Sequence, residues 1–389
     1  MPIMTLPTSQ FSIPTRIRFG HGEVNNLPQH LDFIGASNPL LVTDPGMLQT
    51  RACQQVREIL DASPHSWGLF GQVLPNPTED NVDQAAELFQ KGKHDALIAL
   101  GGGSAIDVAK AVAIRVSYEG ALEDFVPAPP GAPPLPPSIA IPTTAGTGSE
   151  VGRSSVIILR KTGRKGVLFD PRLMPAIALI DPDLTLDLPP KLTAATGMDA
   201  FTHCFESYVS NVFHPIADSI AFGGLDLVIR NLTAAYKDGQ NREARGYMMI
   251  AAMMGALAFQ KDLGAAHSMA HPLSSISGLH HGFANAVVLP YVMEYNRGSQ
   301  VEKFARVAGL FDPKTVLLTC EEASHLVVEK VRKLNAALDI PSSLKAAGVQ
   351  EADLDALAEG AFKDGCHETN PRPCTLEDFK QLFRKAFNG

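Results

Sequence analysis

Cysteine is scarce: five in 389 residues (Cys53, Cys204, Cys320, Cys366 and Cys374), an odd number with wide spacing. A disulfide framework needs an even set at close spacing, so reduced thiols in the cytoplasm are the expectation. Basic excess is absent as well. The formal net charge is −8, which disfavours a phosphate backbone as partner, so no nucleic acid is expected. The opening MPIMTLPTSQF has neither a basic stretch nor an apolar core, so no secretory signal is expected there. Long apolar runs are missing too. The most tempting one, Met248 to Phe259, is too short to span a bilayer and reads as a buried helix, so no membrane partner is expected. Charged residues make up 19% against 45% hydrophobic, a balance that excludes extended disorder and supplies ample core.

The length favours two domains, and the two halves read differently. From Ser12 to about Asp187, short apolar runs alternate with helix-period stretches such as Thr50 to Ala62 and Thr78 to Gly92. The runs are Pro39–Thr43, Ala96–Leu100, Ser138–Ile141, Ser154–Leu159 and Ala176–Ile180. This alternation predicts βαβ units and a parallel sheet, and the mostly apolar runs predict strands covered on both faces. After Leu188-Pro189-Pro190 the strand signal nearly disappears. Apolar residues then recur at helical spacing, with breaks at Pro215, Pro272, Pro290, Pro313 and Pro341. The boundary falls near residue 189, and the Pro-rich stretch 127–137 reads as an exposed loop within the first half.

Three segments of the first half carry possible cofactor chemistry. Gly101-Gly102-Gly103-Ser104 follows a strand and opens a helix, an arrangement in which backbone N–H groups and the helix dipole meet a phosphate. Its spacing is neither the dinucleotide fingerprint, since Ile106 occupies the third glycine position, nor a Walker A loop. Asp44 ends the first apolar run, where a carboxylate can accept from an adenosine ribose or simply form a turn with Pro45-Gly46. Pro142 to Glu150 (PTTAGTGSE) puts hydroxyls and glycines directly after a strand, where loops of α/β sheets line the ligand crevice.

The second half holds the strongest constellation. Asp199 and His203 are four apart, which on a helix stacks both side chains on one face. His267 and His271 repeat that spacing, with Pro272 expected to end the helix just beyond, and His280 and His281 follow in a loop signal. One carboxylate with three imidazoles suits a divalent transition metal such as Fe(II) or Zn(II). Spacing alone leaves open which four are ligands.

Taken together, PTRIRFG, PNPT, GGGSAIDVAK, PTTAGTGSEV, TGMDAFTH, HSMAHPL and HHGFANAVVLP resemble the iron-containing (group III) alcohol dehydrogenases, in the right order from about Pro14 to Pro373. The resemblance implies an α/β plus all-α fold. A Rossmann-like, parallel-sheet dinucleotide-binding domain would span residues 1–188, and an all-helical metal-binding and catalytic domain 189–389, with the metal in the cleft between them. It implies metal ligands Asp199, His203, His267 and His281, leaving His280 as a neighbour, and His271 beside substrate and nicotinamide. It implies cofactor contacts at Asp44, Asn76, Gly101, Gly102, Gly103, Ser104, Thr143, Thr144, Thr147 and Lys165. The implied cofactors are NAD and Fe(II), with Zn(II) as the alternative, and the implied partner is a second copy of the chain in a homodimer or larger assembly. The implied activity is NAD(H)-dependent alcohol dehydrogenation or aldehyde reduction. The metal would act as a Lewis acid on the substrate oxygen and His271 as the proton relay.

Two departures bear on the substrate. Arg153 stands where such proteins commonly have a small or apolar residue, and Lys261 lies six residues before His267. Both cations point to a short anionic hydroxy acid or semialdehyde, held by charge-assisted contacts. A small neutral alcohol, diol or aldehyde is the alternative. A lyase like 3-dehydroquinate synthase, which shares the fold and uses NAD and metal without net redox, is the competing class, and a catalytically silent NAD-binding protein a third.

Overall fold

The computed structural model describes residues 7–125 and 131–389. The first six residues of the opening segment lie outside it, as do residues 126–130 of the Pro-rich stretch, whose remainder runs as coil into a strand. By compactness the chain divides into two units: Ile13–Pro189 with Gly239–Met249, and Pro190–Asp238 with Ile250–Gly389 and the residues up to Ser12. The single cut expected near residue 189 leaves out the two exchanged stretches. Each is fixed by contacts distant in sequence, such as Ser12 N–H to Gln260 Oε1 at 2.7 Å and Arg242 Nη2 to Asp183 Oδ2 at 2.6 Å.

The first unit is a six-stranded sheet with every pairing parallel. Its strands are β1 (Arg16–Phe19), β2 (Pro39–Val42), β3 (Gly68–Phe70), β4 (Ala96–Gly101), β5 (Ser138–Pro142) and β8 (Ile177–Ile180), in the order β1-β8-β5-β4-β2-β3. The helices α1 (Leu27–Ile34), α2 (Arg51–Asp61), α3 (Glu79–Lys91) and α4 (Gly103–Ser117) cover both faces. Alternate residues of β4 explain its unbroken apolarity. Leu97 and Ala99 pack with Val82, Phe89, Ile106 and Val112 of α3 and α4, whereas Ile98 and Leu100 pack with Leu27, Leu31, Val56 and Leu60 of α1 and α2. The run Ser154–Leu159, read with the parallel set, instead pairs antiparallel with Arg164–Phe169 as a separate hairpin, β6 and β7. Its alternating burial is that of a hairpin with one covered face.

The chain leaves β2 for β3 at one edge and returns to β4 on the other side of β2. The carboxyl ends of β2 and β4 therefore flank the point where strand order reverses, the place where open α/β sheets bind ligands. Asp44 and Gly101–Gly103 follow directly on those two ends.

The second unit is built from α5 (Pro190–Val209), α6 (Pro215–Lys237), the end of α7 (Arg242–Ala258), α8 (Ala265–Ile276), α9 (His281–Asn296), α10 (Val301–Phe311), α11 (Cys320–Ala337), α12 (Leu354–Phe362) and α13 (Leu376–Asn388). Every residue of α5 from Thr193 to Val209 is buried, as expected of a central helix. It packs against α6 and α9, and α8 packs against α9 and α12. No helix among the described residues is long and apolar enough to cross a membrane.

Two expected breaks are not breaks. Pro272 lies inside α8 and Pro290 inside α9. A helical proline frees the carbonyl four residues earlier. For Pro290 that group is Ala286 O, and Asn335 Nδ2 of α11 donates to it at 2.6 Å, so the helix continues. His281 likewise sits in the first turn of α9, with His280 as N-cap accepting from Gly282 N–H at 3.2 Å, and not in a loop.

Gly282 is where α9 meets α5. A Cβ there would fall 2.2 Å from the Ala195 carbonyl oxygen, a backbone atom that cannot rotate away. Gly282→Ala is expected to cost about 1–3 kcal/mol or more in thermal or denaturant unfolding, as overpacked sites do. Gly298→Ala, with nothing within 4 Å of its Cβ position, should be near neutral; equal stabilities for the two variants would contradict this packing.

Candidate functional site

α5 presents Asp199, His203 and Glu206 at i, i+4 and i+7, hence on one face. α8 contributes His267 and His271, and α9 contributes His281 and, one turn on, Asn285. The donor atoms of Asp199, His203, His267 and His281 all lie within 4.8 Å of one another. Asp199 Oδ1 is the hub, 3.5 Å from His281 Nε2 and 3.9 Å from Nε2 of both His203 and His267. The His203 and His267 rings stack at 4.5 Å, and Phe259 meets His203 edge-on at 4.3 Å.

The protonation states suit a cation. Burial opposes ionisation of Asp199, but the surrounding imidazoles and Asn285 outweigh it and bring its pKa down to about 2. Burial, more than any neighbour, pushes His281 well below the ordinary imidazole range, so it is neutral at neutral pH. An ionised Asp199 and a neutral His281 are the states a metal ion requires of them. Glu206 Oε2 lies 2.6 Å from His267 Nδ1 and Oε1 accepts from Ala266 N–H, which fixes the tautomer and leaves His267 Nε2 with its lone pair toward Asp199. Asn285 Nδ2 stands 2.8 Å from Asp199 Oδ1, 3.1 Å from His267 Nε2 and 3.2 Å from His281 Nε2. One amide has two protons and cannot serve three acceptors, so the donor set is short of positive charge at its centre. These residues fit a divalent ion.

His271 stands beside the cluster, its ring stacked on His281 at 5.3 Å, and its Nδ1 is 2.7 Å from Asp364 Oδ2. His280 lies outside it, as the N-cap of α9. Sequence reasoning missed Glu206, Asn285 and Asp364. The first two had a signal, one further helical turn beyond His203 and His281. Asp364 is 93 residues from His271 and had none.

The expected cofactor residues gather in the α/β unit. Gly101 has φ +146°, and a Cβ there would press on Ala105 at 3.0 Å. α4 begins with Gly102 as N-cap and no side-chain cap, so first-turn N–H groups keep no partner within the helix. A Cβ on Gly103 would come 2.8 Å from Thr147 Cγ2, and one on Gly102 3.5 Å from Thr144, so these threonines stand over the bare turn. Thr143 is buried, its hydroxyl on Met47 Sδ at 3.4 Å. Ser104 Oγ donates to Pro75 O at 2.9 Å, which ties the exposed Asn76 loop to the helix start. Asp44 does turn-forming work with Oδ1, which accepts from Met47 N–H at 3.0 Å, while Oδ2 faces the Gly101 position. A cradle tight at Gly101 and Gly103, with open N–H groups, fits a dinucleotide pyrophosphate.

A buried pair beneath holds the threonine loop. Lys110 Nζ has Ser149 O, Ser149 Oγ, Gly152 O and Ser154 O at 2.7–2.9 Å, four acceptors that share its three protons. Burial lowers its pKa to about 8 despite the charges of Asp107 and Glu150. Asp107 accepts from Ser149 Oγ at 2.7 Å and Val156 N–H at 3.0 Å. Lys165 lies on β7, its pKa lowered by burial against the opposing pull of Asp107.

The two expected substrate cations each have a partner within their own unit. Lys261 is 0% exposed, its ammonium 2.6 Å from Asp218 and hydrogen-bonded to Tyr208 O and Ser210 O. Its proximity to His267 along the chain was misleading because Asp262, at φ +59°, turns the backbone between them. Arg153 stacks its guanidinium over Phe169 of β7 at 4.5 Å.

Comparison with known proteins gives one answer over both units. Residues 14–182 match the family described as iron-containing alcohol dehydrogenase, and residues 193–387 match the Fe-containing alcohol dehydrogenase family, C-terminal. The chain is 38% identical to a 4-hydroxybutyrate dehydrogenase of Cupriavidus necator, over 96% of this chain and 98% of that one. It is 37% identical to a 1,3-propanediol dehydrogenase of Citrobacter freundii, over 97% and 98%. A crystal structure of a 1,3-propanediol oxidoreductase superposes with TM-score 0.95 at 35% identity, covering 98% of this chain and all of that one.

His267→Ala or His281→Ala should abolish bound metal, measured on protein purified without chelator, while NADH binding persists. Glu206→Gln should weaken metal affinity by roughly 10–100-fold, the usual effect of losing a carboxylate behind a ligating histidine. His280→Ala should keep its metal. Full occupancy in His267→Ala would refute the ligand set.

Proposed function

The chain belongs to the iron-containing alcohol dehydrogenase family of oxidoreductases, and from that premise we propose that it is a metal- and NAD(H)-dependent dehydrogenase of short alcohols, working at Asp199, His203, His267 and His281. The observation that carries the proposal is the convergence of these four donors, with Glu206 fixing His267 from behind. When bound, Fe(II), or Zn(II) as the alternative, supplies Lewis-acid polarisation of the substrate oxygen, and NAD(H) supplies the hydride chemistry.

The chain's own residues do the rest. Asp199 puts a negative charge among three imidazoles in a largely buried site, which favours positive charge there. His271, fixed through Nδ1 by Asp364, keeps Nε2 free to hold or pass the alcohol proton. Burial opposes ionisation of Asp364, but the hydrogen bond and charge of His271 and the Cys366 N–H outweigh it, and its pKa falls well below the carboxylate range. An ionised Asp364 stabilises the imidazolium that proton uptake creates. In the α/β unit the open N–H groups at Gly103 and Ser104 suit a pyrophosphate, with Thr144 and Thr147 beside it. Asp44 Oδ2 suits a ribose hydroxyl and repels a 2′-phosphate. The full ligand set with a relay histidine favours net redox over the lyase chemistry of 3-dehydroquinate synthase. The five free cysteines suit a reducing cytoplasm.

The substrate class follows from the partners of the two candidate cations and from the ring beside His203. Lys261 is spent on Asp218, Arg153 is stacked on Phe169, and the ring against His203 is Phe259. An uncharged short alcohol, diol or aldehyde fits these residues best. A carboxylate-bearing substrate is the second reading, supported by the relative named 4-hydroxybutyrate dehydrogenase. With Fe(II) added, aldehyde reduction is expected to prefer NADH to NADPH, and butyraldehyde to succinic semialdehyde, in kcat/KM. Asp44→Gly should relax the cofactor preference by roughly tenfold or more, since a like-charge contact costs several kcal/mol. Equal use of NADPH by the wild type would refute the role of Asp44, and a clear preference for the semialdehyde would move the assignment to the anionic class.

A further inference from the structure

Cys366 is the one cysteine that the structure sets beside the proposed relay pair. His271, Asp364 and Cys366 each offer one donor atom, and these atoms lie within 4.8 Å of one another. The three are all partly accessible. They share no residue with the cluster of Asp199, His203, His267 and His281. Asp364 is held in place from both sides, with Oδ1 accepting from Ser268 Oγ at 2.9 Å and from Cys366 N–H at 2.9 Å, while Oδ2 meets His271 Nδ1 at 2.7 Å. The thiol belongs to the same short turn, Gly365–Thr369, that Asp364 caps.

An imidazole nitrogen, a carboxylate oxygen and a sulfur are the donor mixture of soft-to-borderline cations, above all Zn(II) and Cd(II). Tetrahedral zinc with such ligands separates its donors by roughly 3.3–3.6 Å, from bond lengths of about 2.0–2.3 Å. The His271–Asp364 pair, at 2.7 Å, is closer than that, and the trio's outer limit of 4.8 Å is wider. Side-chain rotations that move the donors by about 1 Å bring them to a common ion. We propose that His271, Asp364 and Cys366 form a second, weaker site for a thiophilic divalent cation, occupied when such a metal is in excess and inhibitory when filled.

Binding is a simple exchange. The Cys366 S–H gives its proton to solvent, the proton on His271 Nδ1 is exchanged through solvent to Nε2, sulfur and Nδ1 bond the cation, and nothing is oxidised or reduced. Burial first, and the charge of Asp364 after it, hold the free thiol well above its ordinary pKa, so it stays protonated until a cation displaces the proton. The rings of His271 and His281 are stacked at 5.3 Å, so an ion here lies close to any ion in the main cluster and is weakened by that charge. Inhibition follows because the cation takes Nδ1 of His271 and the carboxylate that orients it. That consequence rests on the relay role given to His271; the site itself does not.

The test is a Cd(II) titration of the full-length protein, read by the ultraviolet cadmium–thiolate charge-transfer band, beside zinc inhibition scaled to each form's own zinc-free rate. The wild type should show the band and lose activity as zinc rises beyond the first equivalent. Cys366→Ser should lose the band and Asp364→Asn should weaken it, whereas Cys320→Ser, at the exposed thiol, should keep it. The inhibitory midpoint in Cys366→Ser should rise by at least the roughly 10- to 100-fold that even an outer-shell loss costs. His281→Ala, defective in the main cluster, should retain the band, which separates this proposal from the assignment of that cluster. No band in the wild type, an unchanged band or inhibition curve in Cys366→Ser, or loss of the band in His281→Ala would each overturn it.

Discussion

A single buried carboxylate organises the helical unit. Asp199 stands at 3.5–3.9 Å from three imidazole nitrogens, inside a helix whose every neighbour is also buried. An unpaired carboxylate at that depth would be ruinous, so the surrounding sequence exists to satisfy it and its ligating partners. Three glycines let the supporting helices close on it. A Cβ at Gly255 would press on His203 Cβ at 3.0 Å, one at Gly264 on Glu206 Oε1 at 2.7 Å, and one at Gly282 on the Ala195 carbonyl at 2.2 Å. Each glycine lies behind a donor or its support, so close packing and the chemistry of the site are one constraint.

The α/β unit solves a different problem with the same device. Its turn after β4 is bare through Gly101 to Gly103, and a bare turn has no side chains of its own to hold the loop that covers it. α4 supplies that hold from below. Lys110 shares its three protons among three carbonyls and a hydroxyl, and Asp107 pins the same stretch from the other side. The helix whose N-terminus stays open thus also fixes the loop bearing Thr144 and Thr147.

Much of this was legible in the sequence, for physical reasons. Strands covered on both faces write themselves as apolar runs, which is why β2, β4, β5 and β8 were visible. Edge strand β1, with two arginines, and three-residue β3 lack that signature and were not. Asp199 and His203 were visible because a helix repeats every turn, and the same periodicity pointed at Glu206 without naming it. Pro272 and Pro290 misled because a proline's effect on a helix depends on who takes the freed carbonyl, and Asn335 comes from a helix about 50 residues away. Lys261 misled for the matching reason: nearness in sequence to His267 said nothing of Asp218, 43 residues upstream, which claims its charge. Asp364 shows the limit most plainly, since no local pattern announces a partner so distant.

X-ray absorption at the iron edge, on protein loaded with one equivalent of Fe(II), tests the central assignment most directly. The expected first shell holds three imidazole nitrogens, seen through their multiple-scattering pattern, and carboxylate oxygen, with no sulfur, and His281→Ala forms no such shell. A sulfur in that shell, or a spectrum unchanged by His281→Ala, would contradict the account.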